Sequence, residues 1–285
     1  MSLYRVEVIT IKGTHLGEAD RLITSYSRQR GRHRAVARGV RRPRSRLAAG
    51  VQPFVHAELL CWQGRTLDGI SQCAVKGSFR PLRESLEGMA AASLVCELVD
   101  AFAQEDDVDV RAFDLLLAGL EALAGVAADA GALERLLTSF QWKLLAIKGF
   151  RPVLRSCAAC GAAWNLEATP RILFSLAEGG ALCPDCCGQA EGELLGSGLA
   201  AGRQNGLESI SRQTIKVIDY LIRHPLTDAI RVRLPVSLEG EAAALGRAFL
   251  TWILEKRLRS RDFLDLLAAP RLSSLRALPP AGSGP

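Results

Sequence analysis

The sequence predicts an α+β multidomain chain: a small five-stranded β-barrel, then an all-helical domain with a four-cysteine metal-binding insertion. Three observations predict it. Residues 1–80 hold short β-branched and aromatic runs broken by glycine turns. After Phe79-Arg80-Pro81 the segments become long, poor in glycine and apolar at helical spacing. Two C-x2-C pairs, Cys157/Cys160 and Cys183/Cys186, stand 22 residues apart, a metal-ligand spacing. The expected domains are 1–80, 81–271 with the metal module at 157–187, and a disordered tail at 272–285.

The expected strands are 3–11, 21–26, a third containing Val36 and Val40, then 51–62 and 66–76 around a hairpin tip at Gln63-Gly64-Arg65. Lys12-Gly13 reads as the first turn. Periodicity alone does not separate an oligonucleotide-binding barrel from an SH3-like one. Helices are expected over 82–104, 111–125, 132–147, 209–223 and 237–258. Asp109 is placed to cap the second helix and Ser237 the last, while His224-Pro225 ends the fourth. The acidic link Glu105–Asp109 reads as a solvated loop.

Charge is distributed unevenly. Residues 1–80 carry 15 basic and 5 acidic residues, net +10, whereas the remainder is net −4. MSLYRVEVIT has no apolar signal core, and no stretch of 18 apolar residues exists, so neither a secretory signal nor a membrane span is expected. Eight cysteines in 285 residues do not make a small disulfide scaffold. The expected location is the cytoplasm, with the nucleoid.

No Asp or Glu occurs from Arg21 through Ala57, yet nine arginines fall within 28–46: Arg28, Arg30, Arg32, Arg34, Arg38, Arg41, Arg42, Arg44 and Arg46. Guanidinium forks match phosphate oxygens, so the tract reads as a DNA-binding surface of low base specificity. An acidic protein partner or a solvated face would have the same composition. Tyr4, Tyr26, Phe54 and Trp62 lie on or near the strands as candidate stacking rings. Tyr26, just before the basic run, is the first choice.

The cysteine pairs predict a tetrahedral four-thiolate site with Zn2+ as the default ion. Gly161 would let backbone N–H groups turn toward sulfur. Cys187 could substitute for Cys186; Cys61, Cys73 and Cys96 read as buried small hydrophobes. With every ligand supplied by protein, the site has no open position and is structural. Within the module the only basic residue is Arg171, which argues against duplex readout by it. The sequence has no phosphate-binding loop, nucleophile elbow or H-E-x-x-H motif, and its four histidines are scattered. A non-enzymatic DNA-binding protein is expected. The alternatives are a zinc-containing nuclease or other DNA-processing enzyme, or a purely protein-binding adaptor.

Gly17-Glu18-Ala19-Asp20-Arg21-Leu22, Ala37 through Leu47 with its A-x-G-x-R-x-x-x-S-R core, Leu59 to Gly64, Ser78 to Arg83, the four cysteines and Arg257 to Arg261 together resemble the bacterial RecO family. The resemblance covers about residues 3–265. It implies a barrel of oligonucleotide-binding (OB) type followed by a helical domain with a zinc insertion. It further implies binding of single- and double-stranded DNA, annealing of complementary strands, and work with RecR and the single-strand-binding protein to load RecA. The family's capture of that protein's C-terminal tail points to the helical domain. There, Leu254 and Leu258 form an i, i+4 strip, and Arg257, Arg259 and Arg261 are expected to end the last long helix.

Overall fold

A computed structural model describes residues 2–126, 129–163, 171–188 and 206–268. Five strands, β1 (Leu3–Leu16), β2 (Asp20–Ser27), β3 (Gly31–Ala37), β4 (His56–Trp62) and β5 (Asp68–Gly77), close a barrel in the order β1-β2-β3-β5-β4. β1 pairs antiparallel with β4, and β3 runs parallel to β5. This is the Greek-key order of the OB barrel. β1 serves two neighbours: Leu3 to Ile9 face β4, and Val8 to Leu16 face β2 across a bulge between Thr10 and Lys12. Lys12-Gly13 therefore lies within the strand. The turn comes later, at 17–19, where Gly17 adopts φ 63°. Alternation fills the barrel with Val6, Val8, Ile23, Ala35, Ala37, Leu59, Cys61 and Ile70.

β3 begins at Gly31, earlier than the expected strand around Val36 and Val40, because the chain reverses at 28–30 and Gly31 accepts φ 62°. A Cβ at Gly31 would fall 2.1 Å from the Asp107 carbonyl oxygen, so only glycine permits this approach.

A 3-10 turn (Arg80–Arg83) leads to α1 (Leu86–Phe102) and α2 (Val110–Val126). Then come α3 (Ala130–Ile147), β6 (Arg171–Ser175), β7 (Gly180–Ala181), β8 (Leu207–Ser211), α4 (Arg212–Arg223), α5 (Leu226–Arg231), α6 (Val236–Leu254) and α7 (Arg259–Ala268). Side-chain caps start four helices: Ser85, Asp109, Asp129 and Ser211 each accept a backbone N–H three residues on. Ser237 does not cap; Pro235 holds that position and α6 has already begun. β6, β7 and β8 form a small sheet that the helical reading of this region did not anticipate.

The described residues pack as two compact units, Met1–Ala128 with Arg257–Pro285, and Asp129–Lys256. The division is displaced from the sequence boundary near 80 because α1 and α2 pack with the barrel and α7 packs on α1. Within the first unit, the Glu97 carboxylate on α1 accepts the Arg259 and Ser260 N–H groups at 3.1 and 2.8 Å, satisfying the start of α7. The expected tail at 272–285 lies outside the described residues.

Candidate nucleic-acid interface and metal centre

The outer face of β2 and β3 carries alternate residues, so Arg32, Arg34, Val36 and the following Arg38 share a side. The chain covers only part of it. Near the start of β3, Arg32 N–H bonds the Gln104 carbonyl at 3.0 Å, and Asp106 N–H bonds that of Arg30 at 3.1 Å. The acidic link is thus clasped to the barrel while its residues 104–108 stay exposed to solvent. Its carboxylates and those of its flanking helices meet the arginines. Arg32 grips Asp100 at 2.6 Å and also its carbonyl at 2.7 Å. Arg34 pairs with Glu105 at 2.6 Å. Arg28 pairs with Asp114, lies 3.4 Å from Glu7, and sits 4.9 Å from the Phe113 ring centroid. Burial works against the charge of Asp100, but hydrogen bonds from Lys12 and Arg32 outweigh it and hold the carboxyl below its ordinary range.

The compensating acids that are missing from residues 21–57 thus arrive from far along the chain, 68 to 86 residues away in three of these pairs. Tyr26, opposite Arg32, lies beneath the same cover. It is 0% exposed, and its hydroxyl reaches the Asp109 carbonyl at 3.5 Å. The expectation that its ring stacks on bases is therefore corrected: no face of it is accessible.

The other arginines differ. The Arg30 guanidinium lies 4.1 Å from the Tyr4 ring centroid, and Arg38 lies 5.1 Å from that of Trp62. Arg41 donates to the Glu18 carbonyl at 2.9 Å, tying the loop after β3 to the β1–β2 turn. Arg42, Arg44 and Arg46 are exposed, and none meets a carboxylate among the described residues. The nine arginines therefore divide into a paired set at 28, 32 and 34 and an open set at 38–46, with Arg30 on an aromatic ring. Of the four aromatic candidates in sequence, Tyr4 and Trp62 are partly buried and each already carries a cation, Arg30 and Arg38 respectively.

In the second unit, Cys157, Cys160, Cys183 and Cys186 place their sulfurs within 4.8 Å of one another. The Cys160 and Cys183 sulfurs are 3.8 Å apart. Zinc–sulfur bonds of about 2.3 Å set tetrahedrally require sulfurs about 3.8 Å apart, so the donor set fits the ion. Burial opposes ionisation of Cys157, yet N–H groups of Cys160, Cys183 and Ala159 turned toward it bring its thiol down to about 6. A metal-binding sulfur needs that preference for thiolate. Gly161 holds φ 74° and closes the first knuckle with its N–H on the Cys157 carbonyl at 3.0 Å. Cys187 stands apart from the four-sulfur cluster, its thiol aimed at the Leu182 carbonyl at 3.6 Å.

The expected strip of Leu254, Arg257, Leu258 and Arg261 does not form. α6 stops at Leu254, where Glu255 takes φ 51°, and α7 begins at Arg259. Leu254 thus ends α6 while Leu258 lies in the link before α7, and the two fall in different units. Arg259 and Arg261 open a helix instead of ending one. Arg257 pairs with Asp262 at 3.4 Å and Arg261 with Asp265 at 3.0 Å. Among the described residues no helix is long and apolar enough to cross a membrane.

Comparison with known proteins agrees with this geometry. The model for "Recombination protein O N terminal" matches residues 1–79, and that for "Recombination protein O C terminal" matches 83–262. A DNA repair protein RecO of Desulforamulus reducens is 34% identical over 94% of this chain and 96% of its own length. Its counterpart in Symbiobacterium thermophilum is 38% identical over 95% and 100%, and that of a Roseiflexus species 40% over 92% and 85%. A closed five-stranded barrel carrying an arginine loop, helices with a four-cysteine centre, and matches of this extent together establish that the chain belongs to the RecO family of DNA repair and recombination proteins.

Proposed function

We propose that the protein is a non-enzymatic recombination mediator that binds single- and double-stranded DNA and anneals complementary strands. On this reading it acts with RecR and the single-strand-binding protein to place RecA on DNA. The observation that carries the reading is the open set Arg38, Arg41, Arg42, Arg44 and Arg46, an exposed loop with no carboxylate partner among the described residues. Annealing requires offsetting repulsion between two phosphate backbones while base edges stay free. Phosphate contacts without base readout meet both needs and call for no catalytic group. The four thiolates would hold Zn2+ as a closed structural site.

For the tail of the single-strand-binding protein, the reading needs an apolar cleft beside a cation. The open cavity of about 680 Å3 in the second unit offers Leu176, Ala248 and Trp252, but its Arg247 already pairs with Glu134 and its lining includes Glu208 and Glu255, so it does not suit an acidic tail. The test is annealing of complementary oligonucleotides without ATP, with and without the single-strand-binding protein. Acceleration in both conditions is expected. No acceleration by folded protein would defeat the reading, and divalent-metal-dependent cleavage would point to the nuclease alternative.

A further inference from the structure

We infer that Trp62, seated on Gly69 and covered by Arg38, is a stacking platform for an unpaired nucleobase, giving the barrel a preference for single strands. The inference rests on the DNA-binding reading above. Register places the ring in a band across four strands. Leu3 of β1 is opposite Trp62 of β4, Trp62 is opposite Gly69 of β5, and Gly69 is opposite Val36 of β3. Cross-strand neighbours share a face, and here it is the outer one. Their inward neighbours Cys61, Ile70, Ala35 and Ala37 all lie in the barrel core, while these four do not.

Three features separate this band from ordinary surface. A Cβ at Gly69 would fall 2.1 Å from the indole ring, so the bare glycine lets the ring lie flat on the sheet. A tryptophan over a glycine also packs a sheet, so this feature alone carries nothing. The ring is nevertheless only partly buried, and its N–H meets no acceptor among the described residues. Leu3 beside it is 60% exposed, extending the apolar surface without cover. The band is bordered by cations. Arg38 lies over the ring, and exposed Arg65 stands on the adjoining hairpin tip, neither with a carboxylate partner among the described residues. An apolar ring edged by unpaired guanidinium groups suits a base with its phosphates, and Arg38 can exchange the ring for a phosphate as the base arrives. A paired base is already stacked and cannot enter.

The test compares wild type, W62A and W62F for binding of a labelled thymidine oligonucleotide and of a blunt duplex at one salt concentration. W62A should weaken single-strand binding about tenfold, leave duplex binding within about twofold, and be largely rescued in W62F. A merely structural tryptophan would alter thermal stability and leave the affinity of folded protein unchanged. Photocrosslinking wild type to an oligonucleotide carrying 5-iodouracil covers the case in which W62A fails to fold, and the peptide containing Trp62 should carry the adduct. Folded W62A with wild-type single-strand affinity, or adducts only elsewhere, would overturn the platform. Wild type that binds neither DNA would remove the underlying reading as well.

Discussion

Arginines already holding carboxylates displace few counterions from DNA, whereas unpaired ones displace nearly one per phosphate engaged. The triple variant R42A/R44A/R46A removes three open guanidinium groups, while R28A/R32A/R34A removes the three that meet Glu7, Asp114, Asp100 and Glu105. At about 0.9 per phosphate on duplex and about 0.7 on single strands, the loop variant should flatten the plot of log affinity against log salt by about 2.7 and about 2.1 respectively. Carried from 1 M, where this contribution vanishes, to 0.1 M salt, that is a loss of about two to three decades in affinity. The paired-set variant should move the slope by much less and instead lower stability, because it strands partly buried carboxylates. Fluorescence anisotropy across a salt series measures the slopes, and circular dichroism confirms folding. Equal flattening by the two variants, or an unchanged slope in a folded loop variant, would refute the division of the tract.

Two further outcomes concern stability. Replacing Cys157 and Cys160 by Ser should abolish stoichiometric zinc in metal analysis and lower the melting temperature; zinc-folding energies of about 10–16 kcal/mol in small fingers set the upper bound. D100N should destabilise the protein by about 2 kcal/mol in denaturant titrations at neutral pH, since it weakens charged hydrogen bonds from Arg32 and Lys12. The Asp100 carboxyl titrates below the ordinary aspartate value of 3.8 in the folded protein, so its contribution is complete above that value and is lost as pH falls through the folded one. The gap between wild type and D100N should therefore close on acidification below about pH 4, and a gap that stayed constant would contradict the pairing.

Much of this was legible in residue pattern. The four cysteines, the hairpin around 63–65 and the helices built on Leu94, Leu116 and Leu136 follow from spacing, which is local. What escaped the pattern depends on partners distant in sequence or on backbone states without a residue signature. Tyr26 carries no mark that the link before α2 will reach its hydroxyl. The absence of acids near the arginines says nothing of Asp100 or Glu105 returning to them. Glu255 adopts a left-handed conformation usually taken by glycine or asparagine, so the expected helix over 237–258 runs past the real end of α6 at Leu254. β6 and β8 are five residues each, too short for a periodicity to stand out beside the cysteines.

The Glu97 carboxylate holding the start of α7 has a consequence for biosynthesis. Arg259 leaves the ribosome 162 residues after Glu97, with the whole of the second unit made in between. The second unit is continuous in the chain and can complete its fold during synthesis, whereas the barrel's unit waits for its last helix. Until then the side of α1 that receives α7 is bare, and a nascent chain stalled before Arg259 would offer it to chaperones.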